Sequence, residues 1–112
     1  MTNCLFCKMV AGDIKPDVVY EDDALMAFRD INPQAPVHIL VIPKRHIATL
    51  NELDDGQLGG KMLQTAVKLA EQEGIAEEGY RTLFNCNRNG GQAVYHLHLH
   101  LLGGRALHWP PG

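Results

Sequence analysis

Apolar and polar residues alternate without a break along Tyr95-His96-Leu97-His98-Leu99-His100-Leu101, and Leu102 closes the run. A period of two is the signature of a strand, so His96, His98 and His100 share one side and Leu97, Leu99 and Leu101 the other. A helix would scatter residues two apart around its axis. Upstream, Leu5, Phe6, Met9 and Val10 fall at helical spacing between Cys4 and Gly12 and predict a short helix that caps the domain. Val18–Tyr20 and Ala24–Phe28 flank the acidic turn Glu21-Asp22-Asp23 and predict a hairpin. The two prolines of Asp30–Pro36 require an ordered loop. The β-branched run Val37–Ile42, stopped by Pro43, predicts a central strand that carries His38.

Between Leu53 and Glu73, the residues Leu58, Met62, Thr65, Ala66, Leu69 and Ala70 recur at helical spacing, with Asp54 and Asp55 near the start and Gly74 at the end. This is the long helix. Gly59-Gly60 weakens it by about 1 kcal/mol per glycine relative to alanine, a cost set against close packing on a sheet. Tyr80–Asn85 predicts a further strand, and Asn87–Gln92 a tight turn back into the histidine strand. The sum is about five strands, one long helix and one short helix, which makes an α+β domain on an antiparallel sheet. Its 112 residues suit a single domain, residues 1–112, with no internal repeat.

Composition narrows the function. A hydrophobic share of 46% with 21% charged residues is that of a globular chain, and no apolar run approaches the length of a membrane span. Met1-Thr2-Asn3-Cys4 lacks the basic start and apolar core of a secretion signal, so the expected location is cytoplasmic. A formal net charge of −3 argues against a nucleic-acid partner, whose binders carry a basic face. A small ligand with one or two phosphates remains compatible, because local dipoles bind it without net positive charge. Three cysteines, an odd number without a signal peptide, do not form a disulfide framework. Cys86, alone on a strand, is expected in the core, and Trp109 is expected to anchor on a neighbouring surface.

Imidazole accepts or donates a proton near neutrality, binds metals and attacks electrophiles when neutral. The histidine strand, the turn Asn89-Gly90-Gly91-Gln92, Asn85 and His38 can meet at one face. There the glycines let backbone N–H groups point at an anion. With phosphorus over the strand, the middle histidine has the best approach, provided its other nitrogen carries the proton and bonds a backbone carbonyl. A phosphohistidine would follow, and a protonated neighbouring histidine would supply the leaving group's proton.

The run His96-Leu97-His98-Leu99-His100-Leu101-Leu102 resembles the histidine triad (HIT) signature. The likeness extends through Asp30–Pro36, His38–Lys44, Gly90-Gly91-Gln92 and Gly103-Gly104-Arg105 to His108-Trp109-Pro110-Pro111-Gly112, whose ending is specific to the Hint branch. The resemblance implies a HIT-like fold with sheets joined across a homodimer. It also implies a purine nucleoside phosphoramidase that hydrolyses the P–N bond of AMP- or GMP-amine conjugates through a nucleotidyl-histidine. By position, His98 would be the nucleophile, with His100 beside the phosphate and His38 flanking the site. Asn85, Gly91 and Gln92 would line the phosphate pocket, Asp30 would hold the ribose hydroxyls, and Phe6, Phe28 and Ile31 would surround the base. Trp109 would reach toward the partner's site. Ala93 departs from the pattern, which commonly has serine there.

Cys4-Leu5-Phe6-Cys7 has the spacing of half a zinc site. Similar bacterial triad proteins complete such a pair with residues that match His46 and His96 here, so the resemblance implies a structural zinc, with no cofactor required for catalysis. Two rival functions fit the pattern less well. A catalytic metal held by all three triad histidines would have to span about 13 Å between the outer Cα atoms, which is long for one coordination sphere. A non-catalytic nucleotide- or partner-binding module would have to keep its costly polar face without using it.

Overall fold

The computed structural model describes residues 3–112; Met1 and Thr2, the start of the segment read for a secretion signal, lie outside the described residues. Helix α1 (Leu5–Ala11) begins where the Cys4 Sγ accepts from Cys7 N at 3.2 Å and ends at Gly12 in the left-handed region. Strands β1 (Val18–Glu21) and β2 (Leu25–Arg29) form the expected hairpin. Its turn is fixed by Asp22, whose Oδ1 accepts from Ala24 N and Leu25 N, both at 2.8 Å. Strand β3 (Val37–Pro43), helix α2 (Gly56–Gln72), strand β4 (Tyr80–Phe84), the single helical turn α3 (Asn87–Gly90) and strand β5 (Leu99–Gly103) follow. The five strands form one antiparallel sheet in the order β1-β2-β3-β5-β4.

Alternation along the strands gives the sheet two unlike faces. Leu25, Ala27, Ile39, Val41, Leu99 and Leu101 pack against Leu58, Met62, Ala66, Leu69 and Ala70 of α2. Met26, Phe28, Leu40 and Ile42 point the other way, where Phe6 of α1 covers them. The register Leu40↔His100 puts the histidines on this second face. They are therefore roofed by α1. No helix among the described residues is long and apolar enough to cross a membrane.

Four details correct the sequence-based expectations. Helix α2 starts at Gly56 because Asp55 is its cap, accepting from Gln57 N at 3.0 Å and Leu58 N at 3.2 Å; Leu53 lies before it. A Cβ on Gly59 would meet Leu53 Cδ2 at 3.2 Å and one on Gly60 would meet nothing within 4 Å, so Gly59 makes room for Leu53 and neither glycine makes room for the sheet. The segment after β4 is a helical turn closed by Gly91 at φ 77°, with Cys86 half-buried at its cap and off the strand. The ladder of β5 starts at Leu99, leaving His96 and His98 on an irregular lead-in that bends at residues 94–96. There the Leu97 N–H donates to Ile47 O at 2.6 Å.

Candidate active site

Each imidazole on the roofed face has a hydrogen-bond partner that fixes its tautomer. The Gln34 N–H donates to His38 Nδ1 at 3.0 Å, so the His38 proton sits on Nε2. That Nε2–H donates to His100 Nδ1 at 2.9 Å, with Asp30 Oδ2 at 3.4 Å. His100 must then carry its own proton on Nε2, which is buried and has no partner among the described residues. A buried donor left unpaired is costly, and an anion in front of it would remove the cost. His98 is held the other way round. Its Nδ1–H donates to His96 O at 2.7 Å, leaving the Nε2 lone pair free.

His98 and His100 line a cavity of about 400 Å³. Phe28, Leu40 and Val94 make part of its apolar wall, and Leu5, Met9 and Ile14 close it from the α1 side. Asp30 and Ala93 also line it, and Ile31, 95% exposed, stands at the rim. Phe6 stands edge-on to His98, with ring centroids 5.2 Å apart at 88°. The cavity thus joins a lone-pair nitrogen, an unpaired N–H donor, a carboxylate and an apolar slot.

The structure brings His38, His98, His100, Asp30, Ile31, Phe6, Phe28 and Ala93 together as the sequence suggests. Asn85, Gly91 and Gln92 stand outside the cavity lining. Gln92 turns inward: its Oε1 accepts from Asn87 N at 2.9 Å, and its Nε2 donates to Ala48 O at 2.8 Å and Val94 O at 3.1 Å. Trp109 is 81% exposed beside Arg81, away from this site. Sequence reasoning missed Leu5, Met9, Ile14, Lys15, Pro16, Arg29, Leu40 and Val94 as cavity residues. Leu40 alone carried a signal, because it lies two residues from His38 on the same strand face.

Cys4, Cys7, His46 and His96 form a second cluster beyond His98, with their ligand atoms all within 4.8 Å of one another. Nδ1 of His96 lies 3.3 Å from Cys4 Sγ and 3.5 Å from Cys7 Sγ, and His46 Nδ1 lies 3.4 Å from Cys7 Sγ. Sulfur and nitrogen donors on a zinc tetrahedron stand about 3.6 Å apart, so the four residues fit such an ion. His96 Nε2–H donates to Pro43 O at 2.7 Å, so Nδ1 is the atom that could ligate a metal, and the Pro43 bond would be its outer-sphere support. Burial and the adjoining Cys4 push the Cys7 thiol up to about 11. A cation is what would let it ionise.

Burial favours the neutral form of the imidazoles on the roofed face. It is the largest cause of the depression at His98 and His38, and together with the neighbouring imidazoles it holds His100 down to about 4. With folded values below the unfolded value of about 6.5, the unfolded chain binds more protons as pH falls through that range, so acid costs stability. Each neutral imidazole contributes up to about 1.4 kcal/mol per pH unit in this window. Denaturant midpoints are expected to fall between pH 7.5 and pH 5, and less so in His38→Gln. An unchanged midpoint in the parent chain would show that these rings are not held neutral. Glu73, lowered by its bidentate pair with Arg29, acts in a separate window below its ordinary value of 4.5.

Comparisons with known proteins match the chain over nearly its whole length. Residues 11–107 match the family model of the HIT domain. Over 105 residues, 92% of this chain and 88% of the relative, the chain is 55% identical to the purine nucleoside phosphoramidase of Escherichia coli (strain K12). A solved HIT family hydrolase from Legionella pneumophila Philadelphia 1 is similar at a TM-score of 0.95 and 58% identity, covering 98% of this chain and 100% of that one. A histidine triad nucleotide-binding protein from Candida albicans is similar at a TM-score of 0.83 and 31% identity, covering 96% and 83%.

Proposed function

The chain belongs to the HIT domain family, and on that premise we propose that it is a purine nucleoside phosphoramidase that cleaves AMP- or GMP-amine conjugates through a nucleotidyl group on His98. The observation that carries this reading is the 2.7 Å bond from His98 Nδ1–H to His96 O, which aims a neutral Nε2 lone pair into the cavity. That nitrogen attacks phosphorus, the P–N bond breaks, and its electron pair leaves with the amine nitrogen, which takes up a proton. Water then attacks the nucleotidyl-histidine and releases the nucleoside monophosphate.

The remaining groups have roles to match. His100 Nε2–H faces a non-bridging phosphoryl oxygen. An anion there raises His100 again, so the His38–His100 pair acquires the proton that the departing nitrogen needs only when substrate is bound. Asp30 holds the ribose hydroxyls, and the purine lies among Phe28, Leu40 and Ile31. A zinc on Cys4, Cys7, His46 and His96 would tie α1 to the lead-in of β5 as a structural ion, leaving His98 free. A homodimer joins sheets at the free edge of β4, bringing Trp109 toward the partner's cavity.

Release of amine from adenosine 5′-phosphoramidates, measured beside AMP affinity, tests the assignment; AMP binding without turnover would make the chain a binding module instead. Elemental analysis of protein purified without chelator tests the zinc, and a content far below one per chain removes it. Ala93→Ser restores a donor worth about 1–3 kcal/mol if it acts mainly in the transition state. Turnover of AMP-amine substrates is expected to rise about fivefold or more, and no gain would show that the hydroxyl has no partner there.

A further inference from the structure

His96 connects the cysteine cluster to the attacking ring. Its Nδ1 lies 3.3 Å from Cys4 Sγ and 3.5 Å from Cys7 Sγ, its Nε2–H donates to Pro43 O at 2.7 Å, and its own carbonyl accepts the Nδ1–H of His98 at 2.7 Å. The residue is 0% exposed. Since the β5 ladder begins only at Leu99, sheet hydrogen bonds do not hold the carbonyl that orients His98. What holds this stretch is the His96 side chain and the Leu97 N–H bond to Ile47 O at 2.6 Å. Ile47 follows His46, so the cluster grips both sides of that bond. Thiol–imidazole contacts such as these, at 3.3–3.5 Å, are in themselves weakly directional, whereas metal–ligand bonds fix a ring's orientation.

We infer that His96 is a positioning residue, and that a thiophilic divalent cation on Cys4, Cys7, His46 and His96 keeps the His96 carbonyl where it fixes His98 as the Nδ1–H tautomer. This rests on the reading that His98 attacks phosphorus, and it makes the cluster a determinant of turnover as well as of stability. Loss of the ion frees the imidazole of His96 on one side. The peptide carbonyl beside it then loses its fixed direction, and His98 samples the tautomer and rotamers in which Nε2 is not a nucleophile. Binding of the nucleotide, made by the cavity walls and Asp30, is little affected.

The test compares full-length protein loaded with Zn²⁺ and the same protein stripped by chelator, with metal content measured and folding checked by circular dichroism. In ¹⁵N-histidine-labelled protein, the loaded form is expected to show His98 as one Nδ1–H tautomer. The stripped form is expected to show averaged or broadened His98 signals, reversed by added Zn²⁺. On an AMP-amine substrate, kcat is expected to fall about tenfold to a hundredfold on stripping, with KM changed less than about threefold. Cys7→Ala should reproduce both effects. Folded stripped protein with an unchanged His98 spectrum overturns the inference even if its melting temperature drops, since that is what a purely structural ion would do. Failure of added Zn²⁺ or Co²⁺ to bind, read as absent thiolate charge-transfer absorption, overturns it as well. If neither form hydrolyses the substrate, the proposed reaction fails on its own, and the His98 spectrum alone decides: a change on stripping supports the positioning role, and no change overturns it.

Discussion

His98→Ala is expected to lower phosphoramidate turnover by about 10⁴-fold or more while leaving AMP affinity within about tenfold of the parent protein. The size of the loss follows from how the other rings are engaged. His100 carries its proton on Nε2 and its Nδ1 accepts from His38, while His38 Nδ1 accepts from Gln34 N. Nδ1 of His96 is directed at two thiols and its Nε2 donates to Pro43 O. Of the four imidazoles, only His98 presents a lone pair to the cavity, so no neighbour can take over the attack. Affinity survives because Asp30, the apolar walls and the His100 donor are untouched. Rapid quenching of the parent protein into alkali, followed by peptide mass analysis, should find the nucleotide on His98. Nucleotide on another residue, or full turnover by the alanine variant, would overturn the assignment.

Much of this site was legible because alternation on a strand dictates faces. Leu97, Leu99 and Leu101 do enter the α2 core, and His98 and His100 do share the opposite side. Alternation says nothing of hydrogen bonding, however, so the pattern did not show that the ladder stops short of His98. The boundary of α2 was misread for a similar reason. Asp54 and Asp55 are equivalent as sequence, and only the turn geometry selects Asp55 to cap. Gln92 was read as a phosphate ligand, yet a side-chain amide can equally satisfy backbone groups, and here it bonds Asn87, Ala48 and Val94. Leu5, Met9 and Ile14 were illegible as cavity residues because their role depends on where α1 docks. No local periodicity encodes that placement.

Docking of α1 leads to the second large effect. Phe6→Ala is expected to cost about 3–5 kcal/mol, since a buried aromatic would leave a void between α1 and the sheet. The ring meets Phe28 at 5.4 Å, His98 at 5.2 Å and His96 at 5.9 Å between centroids, all edge-on. Two of its three aromatic neighbours are therefore histidines of the triad. For a domain of this size the melting temperature should fall by about 10 °C or more. Activity measured well below the new transition should also fall, because His98 loses its side wall and Leu5 and Met9 are no longer held over the cavity. Phe6→Leu keeps most of the volume and should recover most of the stability but only part of the activity, as the ring edge against His98 is gone. A Phe6→Leu protein with full turnover would show that bulk alone is what the nucleophile requires from α1. A Phe6→Ala protein that melts like its parent would show that α1 does not contribute to the folded core.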